Sequence, residues 1–404
     1  MKPRLRIAMI SPTLGAAFGL EQVLMTSVNG LRQRGHHVIL IGEKAFDSLP
    51  KNENPILIEG LFSTPALLKP GQLKRVKKAL NNALKESHPD VVHFLDQPHA
   101  DLIDLATQNY PCVLTAHTVA PTCPASHRLA NETGICEKPS GWGCLVQNKT
   151  VNCLNQFKSD LHRTHVIYEF ESKRKATQKM KAIIAISRYV ERKLLENGFS
   201  RSQVKLVYNP LPQWGSWEGP VSTFSQRPLL ISACRLVPLK GLEYALRALK
   251  KVESLDWEYH ILGEGPLRNS LEKLAKDLQL EQRVRFLGKM PREETLKLIQ
   301  SATLFLQPNV GPEGFGLSVA EALSLGTPAL AFDTPALNEI IEHGKNGLLV
   351  PSKNVSALAE AIQCLLQDNE LLSRMGEYGK KHTLAQFSEN AFMDSTLKLY
   401  QEIV

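Results

Sequence analysis

The stretch Pro308-Asn-Val-Gly-Pro-Glu-Gly-Phe-Gly-Leu-Ser-Val-Ala-Glu-Ala-Leu-Ser-Leu-Gly-Thr-Pro328 decides the fold class of this chain. The apolar runs at 303–306 and 328–332 are typical of buried strands, and the run at 317–325 is typical of a helix. A glycine-rich turn between a strand and a helix N-terminus presents backbone N–H groups to a bound anion. The stretch therefore predicts a strand–turn–helix–strand unit with an anion site, although a plain βα turn has the same pattern.

The same alternation of strand and helix continues through both halves of the chain. Strand-like runs lie at 4–10, 37–42, 90–94, 111–115, 182–186, 204–207, 228–233, 257–262, 283–287, 303–308 and 328–332. Helix-like runs lie near 19–33, 72–87, 99–108, 187–197, 241–252, 266–278, 292–301 and 317–325. Such alternation is typical of parallel sheets covered by helices on both faces. The sequence therefore predicts an α/β fold with two Rossmann-like, doubly wound parallel-sheet domains facing a cleft, with ligands at the carboxyl ends of the strands.

Composition places the boundary between the two domains. The chain has 404 residues, more than one hydrophobic core usually serves. Residues 209–226 are rich in Pro and Gly at their start and show no periodicity, so they are interpreted as a linker. This linker separates an N-terminal domain over 1–208 from a C-terminal domain over 227–385.

The charge is unevenly distributed along the chain. Residues 1–210 hold 28 Lys and Arg against 17 Asp and Glu, a balance of +11, and the remainder holds 20 against 23, a balance of −3. Part of the excess lies on a basic amphipathic helix-like stretch with Lys74, Arg75, Lys77 and Lys78. This pattern predicts contact with an anionic membrane surface or another anionic partner, with a solvated helix face as the alternative.

No apolar run approaches the roughly 20 residues of a membrane-spanning helix. The apolar run at 7–10 behind the basic N-terminus is too short for a signal peptide and is interpreted as a first strand. A cytoplasmic location is therefore expected, with peripheral contact at the cytoplasmic face of a membrane.

Charged and polar side chains follow several predicted strands. Arg235 and Lys240 flank the turn after the strand at 228–233, where two cations suit a pyrophosphate. His117 follows the strand at 111–115 and could donate to a sugar hydroxyl. Glu313 and Glu321 match neither a metal-ligand nor a Ser/His spacing, but both could bind hydroxyl groups of a sugar or ribose. Solvated surface groups are the alternative interpretation of each.

Four cysteines, Cys123, Cys136, Cys144 and Cys153, fall within 31 residues of a long predicted insert at about 118–157. They could hold a structural zinc, although their spacing lacks the paired C-x2-C pattern. An iron–sulfur cluster is less favoured. Free structural thiols and disulfides stay open as alternatives, the latter disfavoured in the cytosol.

Taken together, these motifs resemble those of glycosyltransferase family four (the glycosyl transferases group 1 type), retaining enzymes of the GT-B architecture. The resemblance covers nearly the whole chain. Its strongest segments are Ile183–Ser187, Leu206–Asn209, Arg235 to Gly241, Ile261–Pro266, Val284–Gly288, Glu313 to Glu321 and Asn346–Val350. One departure is Phe18, which stands where the family usually has the first of two glycines.

The resemblance implies a donor nucleotide sugar (UDP- or GDP-linked), an acceptor glycan or glycolipid of the cell envelope, and no metal or other cofactor for catalysis. The implied catalytic residues are His117, Glu313, Arg235 and Lys240. The implied donor-binding residues are Gly19, Arg235, Lys240, Glu313, Phe315, Gly316, Leu317 and Glu321. The resemblance also implies that a last helix, within 386–404, crosses back to the N-terminal domain.

Other function classes compete with transfer. A phosphorylase or a sugar-nucleotide epimerase of the same architecture is the nearest alternative, and a non-catalytic sugar-nucleotide-binding protein is an alternative from another class. A nucleic-acid partner is disfavoured, because the basic half lacks interleaved aromatic residues and any known reader motif.

Overall fold

The computed structural model describes residues 4–15, 19–46, 49–50, 53–63, 71–126, 128–130, 134–151, 153–154, 157, 159–211 and 227–404. Phe18 and most of the predicted linker lie outside the described residues. The chain divides into two compact units. Unit 1 comprises Met1–Pro212 and Glu389–Val404, and unit 2 comprises Gln213–Ser388.

Unit 1 is built on a seven-stranded parallel sheet. The nine strands described in unit 1 are β1 Arg6–Leu14, β2 His37–Ala45, β3 Ile56–Leu57, β4 Val91–Phe94, β5 Cys112–Ala116, β6 Leu129–Ala130, β7 Gly134–Ile135, β8 Ala182–Ala185 and β9 Val204–Leu206. The sheet has the order β3-β2-β1-β4-β5-β8-β9, and β6 and β7 form a separate antiparallel pair. Strands β4, β5 and β8 are buried along their whole length, which explains their continuous apolar sequence.

Helices connect the strands of unit 1. They are α1 Gly19–Gln33, α2 Gln72–Ser87, α3 Ala100–Thr107, α4 Gly143–Val151, α5 Asp160–Thr177 and α6 Arg188–Glu196. Serine side chains cap two of them: Ser159 accepts from the N–H of His162, and Ser187 from that of Val190. The insert that the sequence predicts at 118–157 contains helix α4 and the short hairpin of β6 and β7.

Unit 2 repeats the plan with a six-stranded parallel sheet. Its strands are β10 Leu229–Ala233, β11 Glu258–Leu262, β12 Val284–Gly288, β13 Leu304–Gln307, β14 Ala329–Phe332 and β15 Gly347–Val350, in the order β12-β11-β10-β13-β14-β15. Its helices are α7 Leu242–Lys251, α8 Arg268–Asp277, α9 Arg292–Ser301, α10 Leu317–Ser324, α11 Val355–Gln367 and α12 Asn369–Gln386. The core contains Trp257, Tyr259 and Phe332, each fully buried.

The last helix, α13 Glu389–Ile403, packs within unit 1. Gly30 of α1 permits the close approach, because a Cβ there would lie 2.7 Å from Sδ of Met393. Arg34 donates to the Asn390 side chain at 2.7 Å beside this contact. These two contacts hold the first half of α13 against α1.

The predicted fold class is confirmed. Within each of the two main sheets the strands are parallel, and helical crossovers connect them. The predicted elements agree with the observed ones to within a few residues, apart from β1, which extends four residues past the predicted run. Strands β3, β6, β7 and β15 and helices α4, α5, α11 and α12 have no counterpart among the predicted runs.

Candidate active site

The candidate site residues of unit 2 lie at the switch point of its sheet. β10 pairs with β11 on one side and with β13 on the other, so the strand order reverses between β10 and β13, and ligands of open α/β sheets bind at such switch points. The turn after β10 carries Arg235, which is exposed, and Lys240. Gly241 closes the turn with a φ of 61°, and a Cβ there would lie 2.0 Å from the carbonyl oxygen of Pro308. Only glycine allows the Lys240 turn to lie this close to the segment after β13.

Lys240 and Glu313 form an ion pair at this switch point. Asn309 donates from its amide nitrogen to the same carboxylate oxygen of Glu313, and Gln307 donates to the Asn309 carbonyl oxygen at 3.0 Å. Burial alone would lower the pKa of Lys240, but the Glu313 carboxylate outweighs it and the pKa lies above its ordinary value. Lys240 is therefore a fixed positive charge at the carboxyl ends of β10 and β13.

The N-terminus of α10 completes this side of the site. Gly316 precedes the helix with a φ of 102°, and a Cβ there would lie 2.6 Å from the Leu337 side chain. Phe315 is buried edge-to-face against Phe387, with ring centroids 5.1 Å apart. Leu317 begins α10, and the N–H groups of a first helical turn have no partner within the helix. The turn therefore presents backbone donors next to the Glu313 carboxylate.

Glu321 lies on α10, one turn past its start, and is paired. Arg292, at the start of α9, donates to Oε1 of Glu321 at 2.6 Å. Burial raises the pKa of Glu321, and the nearby Arg292 opposes that shift. The carboxylate has a second oxygen, so it could accept a ligand hydroxyl while keeping the Arg292 hydrogen bond.

The unit 1 residues lie at the carboxyl edge of the first sheet. Gly19 begins α1, and Glu21 in its first turn accepts a hydrogen bond from the Thr13 hydroxyl. The second Glu21 oxygen and the Ser11 hydroxyl are buried, and the described residues offer neither a hydrogen-bond partner. Buried polar atoms are seldom left unsatisfied, so this edge has the character of a polar binding surface.

His117 immediately follows β5. Its Nε2 atom is buried and finds no hydrogen-bond partner in the described part of the chain. Burial lowers the pKa of His117 to about 3. The imidazole is therefore neutral at physiological pH and would serve as a neutral hydrogen-bond donor or acceptor.

Three of the four cysteines of the insert lie in or against one small apolar cluster, and Cys136 lies within electrostatic reach of Cys144 and Cys153. Cys123 and Cys144 are buried in it with Leu154 and Ile167, and Cys153 packs against them. Burial raises the pKa of Cys144, and it raises that of Cys153 to about 11, with the neighbouring thiols adding to both shifts. All described cysteines are free thiols.

No group of three or more His, Cys, Asp or Glu side chains among the described residues is arranged to hold a metal ion. The raised pKa values of Cys144 and Cys153 favour their protonated thiols, and zinc would have to displace those protons. The zinc site therefore stays a prediction.

The basic helix α2 uses its apolar face inside the protein. Val76, Leu80 and Leu84 are buried, so they could insert into a bilayer only if the helix detached from the rest of unit 1. Lys77 pairs with Asp101 at 3.4 Å, and the remaining cations of the stretch are exposed. Among the described residues, no helix is long and apolar enough to cross a membrane.

Two residues of the site, Asn309 and Arg292, were not predicted from the sequence. Asn309 lies two positions past the end of β13, so a polar residue near a strand end could have indicated it. Arg292 lies 29 positions from Glu321 on another helix, and no local pattern joins the two. Packing in the folded unit is what brings this pair together.

Two family descriptions together cover most of the chain. The description "Glycosyltransferase Family 4" matches residues 18–212, and "Glycosyl transferases group 1" matches residues 218–382. The chain belongs to glycosyltransferase family four. The two matches fall on unit 1 and unit 2, so both parts of the candidate site lie inside family-matched sequence.

Known relatives of this family four chain are similar over part of their length. The alpha-D-kanosaminyltransferase of Streptomyces kanamyceticus is 32% identical over 179 residues, 44% of this chain and 46% of that protein. The lipopolysaccharide core biosynthesis glycosyltransferase LpsE of Rhizobium meliloti is 29% identical over 180 residues, 44% of this chain and 51% of that protein. The chain thus spans about half the length of these curated relatives.

Solved structures are similar over the whole chain. The structure of Anabaena HepE in complex with UDP and glucose has a TM-score of 0.72 and 17% identity, and the match covers 99% of this chain and 100% of that one. At this identity the likeness concerns the fold, which is that of GT-B glycosyltransferases.

Proposed function

We propose that the protein is a glycosyltransferase that moves a sugar from a nucleotide-diphosphate sugar to an acceptor hydroxyl with retention of anomeric configuration. The observation that carries the proposal is the Lys240–Glu313–Asn309 cluster at the unit 2 switch point. It combines a fixed cation, a carboxylate and an adjacent helix N-terminus. The cation and the helix N-terminus suit a diphosphate, and the carboxylate suits the hydroxyl groups of a sugar.

The nucleotide leaves with negative charge on its diphosphate, and the site residues stabilise that charge. Arg235, exposed and adjacent, can bind two phosphate oxygens through its guanidinium group, and Lys240 acts as a point charge. When the donor binds, its diphosphate competes with Glu313 for Lys240. Preorganised charges of this kind supply the largest part of catalysis in many enzymes.

The carboxylates position the donor. Glu313, with the N–H groups around Phe315, Gly316 and Leu317, binds the hydroxyls of the transferred sugar. Glu321 binds the ribose hydroxyls through the oxygen that does not accept from Arg292. Neither carboxylate is assigned as a nucleophile. The acceptor hydroxyl attacks from the face that the nucleotide leaves, and its proton passes to the departing phosphate oxygen.

In unit 1, Gly19 donates backbone N–H groups to the diphosphate, and His117 contacts the donor sugar near the reacting carbon. The unpartnered Nε2 of His117 supports this role, because a sugar hydroxyl would satisfy it. The neutral imidazole donates or accepts a hydrogen bond without adding charge.

We further propose a cell-envelope glycan, lipid-linked or anionic, as the acceptor. The lipopolysaccharide relative and the +11 balance of residues 1–210 support it. The exposed cations of α2 would contact anionic lipid electrostatically. Reversing the charge of Lys74, Arg75 and Lys78 should weaken sedimentation with phosphatidylglycerol vesicles at low salt. The same reversal at Lys250, Lys273 and Lys297 of unit 2 is the control, and equal effects would contradict the assignment.

The function is tested by screening UDP- and GDP-sugars for binding with ligand-observed NMR. The donor that binds is then incubated with envelope glycan acceptors, and the product linkage is assigned by NMR. Transfer with the donor's anomeric configuration supports the proposal. Release of a sugar phosphate from the glycan when inorganic phosphate is added would indicate a phosphorylase. An altered nucleotide sugar would indicate an epimerase, and binding without turnover would indicate a non-catalytic protein.

A further inference from the structure

A buried hydrogen-bond chain in unit 1 joins the last helix to the strand that precedes His117. The Tyr400 hydroxyl of α13 lies 2.5 Å from Nδ1 of His93 on β4, and Nε2 of His93 lies 2.7 Å from Oγ1 of Thr115 on β5. The Tyr400 and His93 rings meet edge-to-face with centroids 5.7 Å apart. All three side chains are at most 5% exposed. The proposed transfer reaction does not use any of them.

The chemistry of the chain fixes the direction of its hydrogen bonds. Burial raises the pKa of Tyr400, so its hydroxyl keeps its proton and needs an acceptor. His93 is the partner that the described residues provide for that hydroxyl. Burial, and then the nearby His117, lower the pKa of His93 to about 3, so its imidazole is neutral. Tyr400 therefore donates to Nδ1, and Nε2–H of His93 donates to Thr115.

The chain ends beside His117. Thr115 precedes His117 by two positions, and Ala116, the last residue of β5, separates them. The effect of His117 on the pKa of His93 shows that the two imidazoles lie within electrostatic reach. A hydroxyl fixed at Thr115 holds the end of β5, and a neutral His93 places no positive charge beside His117.

We propose that Tyr400 and His93 are positioning residues that hold β5 and thereby set the orientation of His117. α13 is thus part of the machinery around the reacting sugar as well as of the unit 1 core. The inference rests on the proposed function for its effect on turnover. Its structural part does not, because the state of His117 can be measured without substrate.

The test removes one hydroxyl. Tyr400→Phe keeps the ring that packs on His93 and deletes the donor to Nδ1. In long-range ¹H–¹⁵N spectra of the ligand-free protein, we expect a changed Nδ1/Nε2 tautomer ratio for His93 and shifted resonances for His117. We also expect kcat to fall about 10-fold, as for groups that orient a functional residue, with KM for the donor within twofold. Tyr168→Phe, an exposed tyrosine of unit 1, is the control and should change none of these.

The far end of the chain provides a second pair of variants. Thr115→Val removes the acceptor for Nε2–H of His93 and should shift His117 and lower kcat, whereas Thr115→Ser keeps the hydroxyl and should restore both. These variants answer the question if Tyr400→Phe fails to fold.

The inference is overturned if the His117 resonances stay unmoved in a folded Tyr400→Phe or Thr115→Val protein. It is equally overturned if those resonances shift but kcat does not change. Absence of turnover in the wild-type protein with every donor and acceptor would instead defeat the proposed function. The NMR result would still decide whether the chain positions His117.

Discussion

Replacing Lys240 with alanine tests the electrostatic basis of the proposed reaction. The change removes the cation that pairs with Glu313 and leaves that carboxylate with the Asn309 amide. Two losses follow, one in the ligand-free protein and one in the transition state, and they can be measured separately.

The loss of stability should be modest. Breaking a fully buried ion pair costs about 3–5 kcal/mol. Both side chains here keep 20% exposure, so water screens the stranded carboxylate and we expect about 1–2 kcal/mol. That corresponds to a drop in Tm of roughly 2–8 °C for a domain of this size.

The loss of turnover should be larger. Removing one preorganised group that stabilises developing negative charge lowers kcat on the order of 10²–10³-fold, about 2.7–4 kcal/mol. We expect a fall of this size in kcat/KM for Lys240→Ala, measured as nucleotide release with saturating acceptor. Lys250→Ala removes a half-buried lysine that pairs with Glu253 away from the candidate site, and it should leave turnover unchanged.

The double variant Lys240→Ala/Glu313→Gln separates the two effects. It removes the stranded charge, so it should recover stability relative to Lys240→Ala while turnover stays low. Turnover within twofold of wild type in Lys240→Ala would refute the reasoning. Recovery of turnover in the double variant would show that fold damage, rather than loss of the cation, caused the defect.

Three further predictions concern other groups. Glu321→Gln should raise KM for the nucleotide sugar about 10-fold or more with a smaller change in kcat, because Glu321 binds the ribose; an unchanged KM in steady-state kinetics would exclude that role. His93 and His117 have pKa values near 6.5 in the unfolded chain and about 3 in the folded chain, so the unfolded chain binds more protons between these pH values. The stability that the neutral imidazoles contribute should therefore be full above about pH 7 and should fall as the pH drops toward 3. When the pH is lowered from 7.5 to 5, the urea midpoint of unfolding should therefore fall less for His93→Gln than for the wild-type protein. An equal fall in both proteins would contradict this account. If the insert holds zinc, protein purified without chelator should contain about one zinc per chain, lost in Cys144→Ser; metal-free protein with seven titratable thiols would show that it does not.

The sequence by itself determined the fold class and one part of the site. Apolar runs separated by helical runs require parallel sheets, since strands buried on both faces need a continuous apolar sequence. The segment from Glu313 to Glu321 could be recognised locally, because the backbone turns into α10 at Gly316 with a φ of 102°, a conformation that favours glycine. These features are local, so a linear pattern records them.

Only the tertiary structure decided which partners the site residues have. Arg292 reaches Glu321 across 29 positions, and Tyr400 reaches His93 across 307. Such contacts follow from crossover topology and from the return of α13 to unit 1, and no short sequence pattern encodes them. The basic helix α2 shows the same limit: its amphipathic pattern suits a membrane surface and a sheet surface equally, and packing placed its apolar face on the sheet.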